Sequence, residues 1–321
     1  MSTKEGFLGI RERFIEVEET TYGSNPGLDS GDIIGTNVIF TPTFNQGFQE
    51  VVQAGSDQRT MVKKIPGPLS IAYDLEYNPV SWRRLKYMFD IDSETGSDPY
   101  THTLSIGNTQ KSYSAEWAIR HDSDPLIYQL TGCVNQQMTI NFQKTSGEGR
   151  DGFIKCSEKV IAQDFDKDQS LTAGDFSTSL DPFQYRHTNI TLEGNSITEV
   201  NSGQLMFTQG INPNDSRYAN SGLDRKIGTP INTVFRVSGR FNVNVFDTTY
   251  TDLWATAEKL SGTNTFVFEQ SGDNKATFTL TDLYVEPVPL SATNLDGISS
   301  VDFVFTAKSV AIEVIDSIEN W

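Results

Sequence analysis

A chain of 321 residues, 36% of them hydrophobic and 21% charged, can bury one large core or two ordinary ones. A formal charge of −17 repels a polyanion at long range and excludes a protein that grips nucleic-acid phosphates. No run approaches the roughly 20 apolar residues of a membrane helix, and Met1-Ser2-Thr3-Lys4-Glu5 lacks the apolar stretch of a secretory signal, so a protein made and kept in the cytosol is expected.

Twenty-five Gly and 20 Phe point to many strands joined by turns, a mainly β, β-rich α+β chain. Residues 1–35 mix charge with a turn-rich Thr20–Gly27 stretch and read as an N-terminal arm rather than a core element. Val38, Phe40 and Phe44 lead into the polar stretch from Asn45 to Lys64, too long for a tight hairpin and better suited to a long hairpin with a mobile tip.

Leu69, Ile71, Tyr73, Leu75 and Tyr77 then alternate with polar residues, the period of a strand with one buried face. Asn78-Pro79 suits an N-cap and first helical position, and Trp82, Leu85 and Phe89 form a helical stripe behind it. Further strands are expected over 101–106, 113–119, 130–142 and 152–160. Cys133 and Cys156 fall in consecutive strands without CxxC or Cys/His context. Buried free thiols are favoured over a cross-strand disulfide.

Residues 164–182, rich in Asp, Ser and Thr, read as an acidic linker. Asp164, Asp166, Asp168, Ser170, Thr172 and Asp175 also match the oxygen spacing of a calcium loop. Gln169 stands where Gly normally permits the sharp turn, and the last ligand is the shorter Asp, so a solvated linker competes with a Ca²⁺ site.

Phe183 restarts the pattern, Glu193-Gly194-Asn195-Ser196 reads as a turn between strands, and 211–231 is a second long polar stretch. Phe235, Val237, Gly239, Phe241 and Val243 alternate like the earlier strand, and Tyr250, Leu253, Trp254 and Ala257 form a second helical stripe behind Thr249 and Asp252, spaced as a capping box. Tyr77 and Val245, Trp82 and Tyr250, Leu85 and Leu253 are each separated by 168 residues. A constant offset is what duplication leaves behind. The expected organisation is a first unit over 36–163, a second over 183–314, and a C-terminal tail over 315–321.

Nothing in the chain announces catalysis. His102, His121 and His187 are scattered, and neither a nucleophile elbow nor a phosphate-binding loop is present. Tyr73, Tyr77, Phe235 and Phe241 suit a core better than a ligand platform. Lys63-Lys64 and Arg225-Lys226 suit acidic surfaces of a neighbouring subunit.

The order of Glu19-Thr20-Thr21-Tyr22-Gly23-Ser24, Leu130 to Asn135, Met138 to Phe142, Ile154 to Ala162, Asp181-Pro182-Phe183, Glu193 to Ser196 and Val237 to Phe246 resembles the tail tube (major tail) proteins of long-tailed bacteriophages and archaeal viruses. That resemblance implies two tandem tail-tube-like β-sandwich or barrel units, each with a flanking helix. Sheets from neighbouring copies would close into a barrel around a lumen, and long loops would bridge stacked rings. It implies a virion tail protein assembled in the host cytoplasm, with tail terminator, tape measure and tail tip proteins as partners. DNA would pass without specific binding, and neither membrane nor enzyme activity would be involved. Two units per chain favour a homotrimer over a homohexamer. Carboxylates lining the lumen would repel DNA; ordinary solubility or a saline habitat explains the acid excess equally well. The alternative is a carbohydrate-binding or adhesin-like β-sandwich, which needs an exposed aromatic platform.

Overall fold

The structure, a computed structural model, describes residues 12–28, 32–51, 63–108, 111–119, 125–144, 152–167, 169–173, 180–212, 228, 232–244, 259–286, 300–319 and 321. In the first half the strands are β1 (Glu12–Glu18), β2 (Asp32–Ile33), β3 (Thr36–Val51), β4 (Lys63–Asn78), β5 (Asp90–Gly96), β6 (Tyr100–Ser105), β7 (Tyr113–Ile119), β8 (Leu126–Gln143), β9 (Lys155–Ala162) and β10 (Asp164–Lys167). The second half supplies β11 (Thr188–Leu192), β12 (Asn195–Ile197), β13 (Val200–Ile211), β14 (Asn232–Asn244), β15 (Lys259–Leu260), β16 (Asn264–Ser271), β17 (Asn274–Glu286) and β18 (Ser300–Asp316).

Hydrogen-bonded neighbours form one continuous antiparallel layer of eight long strands in the order β3, β4, β9, β8, β13, β14, β18, β17, with the two-residue β15 on the outer edge of β17 at Leu283 and Tyr284. A second layer covers its apolar face. In the first half this is β2, β1, β7 and the start of β8, with β10 alongside β8. In the second it is β12, β11, β16 and the start of β17, extended by the end of β18 and by β6 and β5.

The long strands serve both layers by turning a corner. β8 turns at Gly132 (φ 62°) and β17 at Asp282 (φ 52°). On β17 the buried set Ala276, Phe278, Leu280 gives way to Leu283 and Val285, a slip of one residue that moves the apolar face from one layer to the other.

The mainly β class holds, but the rest of the expected architecture changes. The stripe Trp82, Leu85, Phe89 is buried, yet the segment is a five-residue 3-10 turn, Arg83–Tyr87. Its intervening residues Arg84, Lys86, Tyr87 and Met88 are buried too and only Arg83 is part-exposed, so the wet face that an amphipathic surface helix requires is missing. The second expected helix, Tyr250 to Ala257, lies outside the described residues.

Two separate tandem units are not seen. β8 of the first half bonds β13 of the second, β6 bonds β18, and one apolar core runs through both halves. The 3-10 turn explains why: Trp82 stacks near Phe183 and Phe268 at 5.2 and 5.1 Å, and Phe89 sits 5.1 Å from Phe207 and 5.2 Å from Phe235. A plug from the first half fills the core of the second.

The expected arm and linker also carry structure. β1 pairs along its length with β7 and buries Phe14 and Ile15. Glu19 anchors the following turn, accepting from Gly23 N, Ser112 Oγ, Ser114 Oγ and Gly132 N at 2.6–2.8 Å. β10 pairs with β8, and Trp321 in the expected tail stacks 4.4 Å from the buried ring of His102.

A buried polar cluster ties the first half together. Arg84 pairs with Glu16 on β1 and donates from Nε to Glu158 on β9 at 2.7 Å. Glu158 also accepts from Tyr77 on β4 (2.6 Å) and Asn135 on β8 (2.8 Å), and Arg84 donates to Tyr113 on β7 (3.0 Å). Burial pulls the guanidinium pKa down, but the Glu158 charge outweighs it and holds the group ionised.

Lys86 is in the opposite position. Burial, and next the charge of Arg83, lower its pKa from 10.5 to about 8, against the attraction of Glu18 at 3.1 Å. Between about pH 8 and 10.5 the unfolded chain holds a proton that the folded chain has released, so this residue's contribution to stability rises with pH. Lys86→Met should therefore stabilise the folded chain at pH 7 by on the order of 1 to 3 kcal/mol, with the gain shrinking toward zero near pH 10.5. Urea unfolding of both proteins across that range checks it; a difference independent of pH contradicts it.

Candidate assembly interface

The face of the eight-strand layer turned away from the core is wet, and the strand registers place its residues in rows. Asn141, Gln204, Arg240 and Val304 form one row; Gln143, Ser202, Asn242 and Asp302 form the next. All of these but Val304 line a groove of about 320 Å³. Its amides satisfy one another: Asn201 Nδ2 donates to Asn242 Oδ1 at 2.9 Å, and Asn242 Nδ2 to Asp302 Oδ1 at 2.6 Å.

Charge on this face is balanced. Register and alternation place Asp74, Glu76, Asp282, Glu286 and Asp302 on it beside Lys155, Lys159, Arg236, Arg240 and Lys308. Several pair directly: Lys155 with Glu76, and Asp282 with Lys259 (2.8 Å) and Lys308 (3.6 Å). The hydrogen bond from Lys259 lowers the Asp282 pKa and raises that of Lys259. Among the described residues the acid excess is not concentrated here. The described part of this face is rich in amides and hydroxyls.

The groove straddles the junction between halves, where Ser202–Thr208 of β13 pair with Gln137–Gln143 of β8. On the core side of that junction Gly203 stands directly opposite Phe142. A Cβ at Gly203 would clash with the tip of the Phe142 ring at Cζ, so the absent side chain lets the ring lie across the neighbouring backbone. Gly239 does the same beneath Phe305.

No protein-family model matches the chain, and neither does any curated protein.

The other sequence-derived candidates fall elsewhere. Asp164 and Asp166 lie on β10, whose extended backbone pairs with β8. Asp168 and Asp175 lie outside the described residues, and Thr172 donates its hydroxyl to Glu116 at 2.6 Å. Among the described residues, no group of three or more His, Cys, Asp or Glu is placed to hold a metal ion.

Cys133 and Cys156 are buried free thiols, their pKa values raised by burial. Cys156 stands opposite Ile140, seven residues along β8 from Cys133, about 20 Å of strand away. His102 is buried between Glu94 (3.1 Å) and Asp316 (3.3 Å), His187 accepts from Gln184 N in a 3-10 turn, and His121 lies outside the described residues.

Tyr73, Tyr77 and Phe241 are core, as expected, with Phe235 packed against it. Lys64 faces Glu50 across its own hairpin at 3.6 Å, and Arg225-Lys226 lie outside the described residues. Sequence reasoning missed the Phe142–Gly203 pair; its one signal was a Gly inside an alternating strand.

Gly203→Val should destabilise the fold by about 1–3 kcal/mol or more, despite the higher strand propensity of Val, because Phe142 must leave its place. Gly272→Ala, where a Cβ meets nothing within 4 Å, should change stability by less than about 0.5 kcal/mol. Chemical denaturation of both variants checks this; equal stabilities contradict the close approach.

Proposed function

We propose that this chain is a structural subunit that closes with copies of itself into stacked rings, the hollow tail tube through which a long-tailed virus of bacteria or archaea delivers its DNA. The observation that carries the reading is a recurring order of strand pairing. The first half contributes β3, β4, β9, β8 to the continuous layer, and the second contributes β13, β14, β18, β17. The second layer repeats as well: β1 borders β2 and β7 as β11 borders β12 and β16. This supports two equivalent units fused through their sheets, so that three chains supply six units to one ring.

Antiparallel strands joined around a ring leave no lateral edge to aggregate, and head-to-tail stacking of such rings gives an open filament. The wet face of the layer suits a lumen wall. Its paired amides and balanced charges offer passing DNA no net cationic grip, so passage rests on neutrality rather than repulsion. On this reading the protein belongs to the virion tail, is assembled in the host cytoplasm, has no enzymatic role and needs no cofactor. It meets tail terminator, tape measure and tail tip proteins at the ends and interior of the tube.

A carbohydrate-binding sandwich is less well supported. Phe142 and Phe241 beside the groove are buried, and among the described residues the exposed aromatics are Phe44 and Phe48 on β3, Tyr284 on β17 and Phe153 just before β9, none of which lines the groove.

Negative-stain microscopy of purified protein over a range of concentration and salt tests the reading. Rings or hollow filaments are expected; discrete solid particles under every condition contradict it.

A further inference from the structure

β3 and β13 hold the same place in their halves, each opening a long hairpin, with β4 and β14 respectively. Their second edges differ. That of β13 is filled by β8, whereas among the described residues β3 pairs with β4 alone.

The side chains of β3 are correspondingly uncovered: Ile39, Phe44 and Phe48 are 52%, 40% and 61% exposed, while Leu205 and Phe207 on β13 are fully buried. A 16-residue strand with an open edge and three exposed large apolar side chains is a template for another strand. Pro42, within β3, lacks an N–H and is tolerated where that position faces away from the sheet. It removes one donor from the edge, which discourages indiscriminate pairing, and leaves the other donors and the carbonyls.

The strand that fills the β13 edge is the fourth of the first half. The fourth of the second half is β17, which borders β16 and β18 as β8 borders β7 and β9. Within one chain β3 and β17 stand at opposite ends of the eight-strand layer, seven strand spacings or about 34 Å of sheet apart. β15 takes the outer edge of β17 at Leu283 and Tyr284, and from Val285 to Glu286, where the described strand ends, its partner is β18 alone.

We propose that the open edge of β3 in one copy pairs antiparallel with the end of β17 in a second copy, reproducing between chains the β8·β13 junction found within the chain. The inference rests on the tube reading and names the joint it requires. The occupant is a second copy because this chain already carries both sides of the joint, one of them filled.

Hydrogen exchange of the full chain, read by mass spectrometry in dissociated and assembled protein, tests it. On assembly the segment 36–51 should slow by about tenfold or more, while 200–211, bonded on both edges already, should not change. The double variant Ile39→Lys, Phe48→Lys replaces two exposed side chains; it should melt near the wild-type temperature yet need about tenfold more protein to assemble. Rings that form without added protection over 36–51, or a folded double variant that assembles at the wild-type concentration, overturn this joint and leave the tube reading standing. Failure to assemble at all overturns both.

Discussion

Everything in this molecule depends on the antiparallel pairing of β8 with β13. Seven residue pairs, Gln137–Gln143 against Ser202–Thr208, convert two four-strand sheets into one eight-strand layer. Without that pairing two more edges would stand open, and the apolar faces of the halves would not be aligned. Phe142 lies across Gly203 at the joint, and the plug from Trp82 to Phe89 crosses from the first half into the core of the second. The halves therefore fold as one body.

The halves share topology but not core chemistry. The first is built around buried charge: Arg84 between Glu16 and Glu158, with Tyr77, Tyr113 and Asn135 satisfying the remaining lone pairs and donors. Such clusters gain little net stability over well-packed apolar residues, yet removing one partner costs several kcal/mol because the other charge stays buried. Ring contacts occur in both halves, Phe40 with Tyr73 at 4.8 Å in the first, and the second relies on them: Phe241 lies 5.0 Å from Phe303, and Phe266 lies 5.7 Å from Phe305. Two solutions to the same sheet geometry leave few identical residues, which is why a repeat in strand order is faint in sequence.

Where one face of a strand is wet, the sequence was informative. The alternation over Leu69–Tyr77 and Phe235–Val243 marked β4 and β14 and their buried sides, and the long polar stretches marked the hairpins β3–β4 and β13–β14. Where both faces are covered, it misled. Trp82, Leu85 and Phe89 have helical spacing, but the residues between them are buried as well, so the period reported a plug and not a helix. β1 hid for the same reason, since Phe14, Ile15 and Glu16 are all buried and no alternation survives. The junction itself joins residues about 60 positions apart through backbone groups, which every residue type shares, and so no side-chain pattern announced it.

Native mass spectrometry of the smallest closed assembly tests the central claim, that one chain carries two equivalent sheet units, most directly. The account predicts a ring of three times the 35.7 kDa chain mass. A ring of six chains would show that each chain supplies a single unit, and would contradict it.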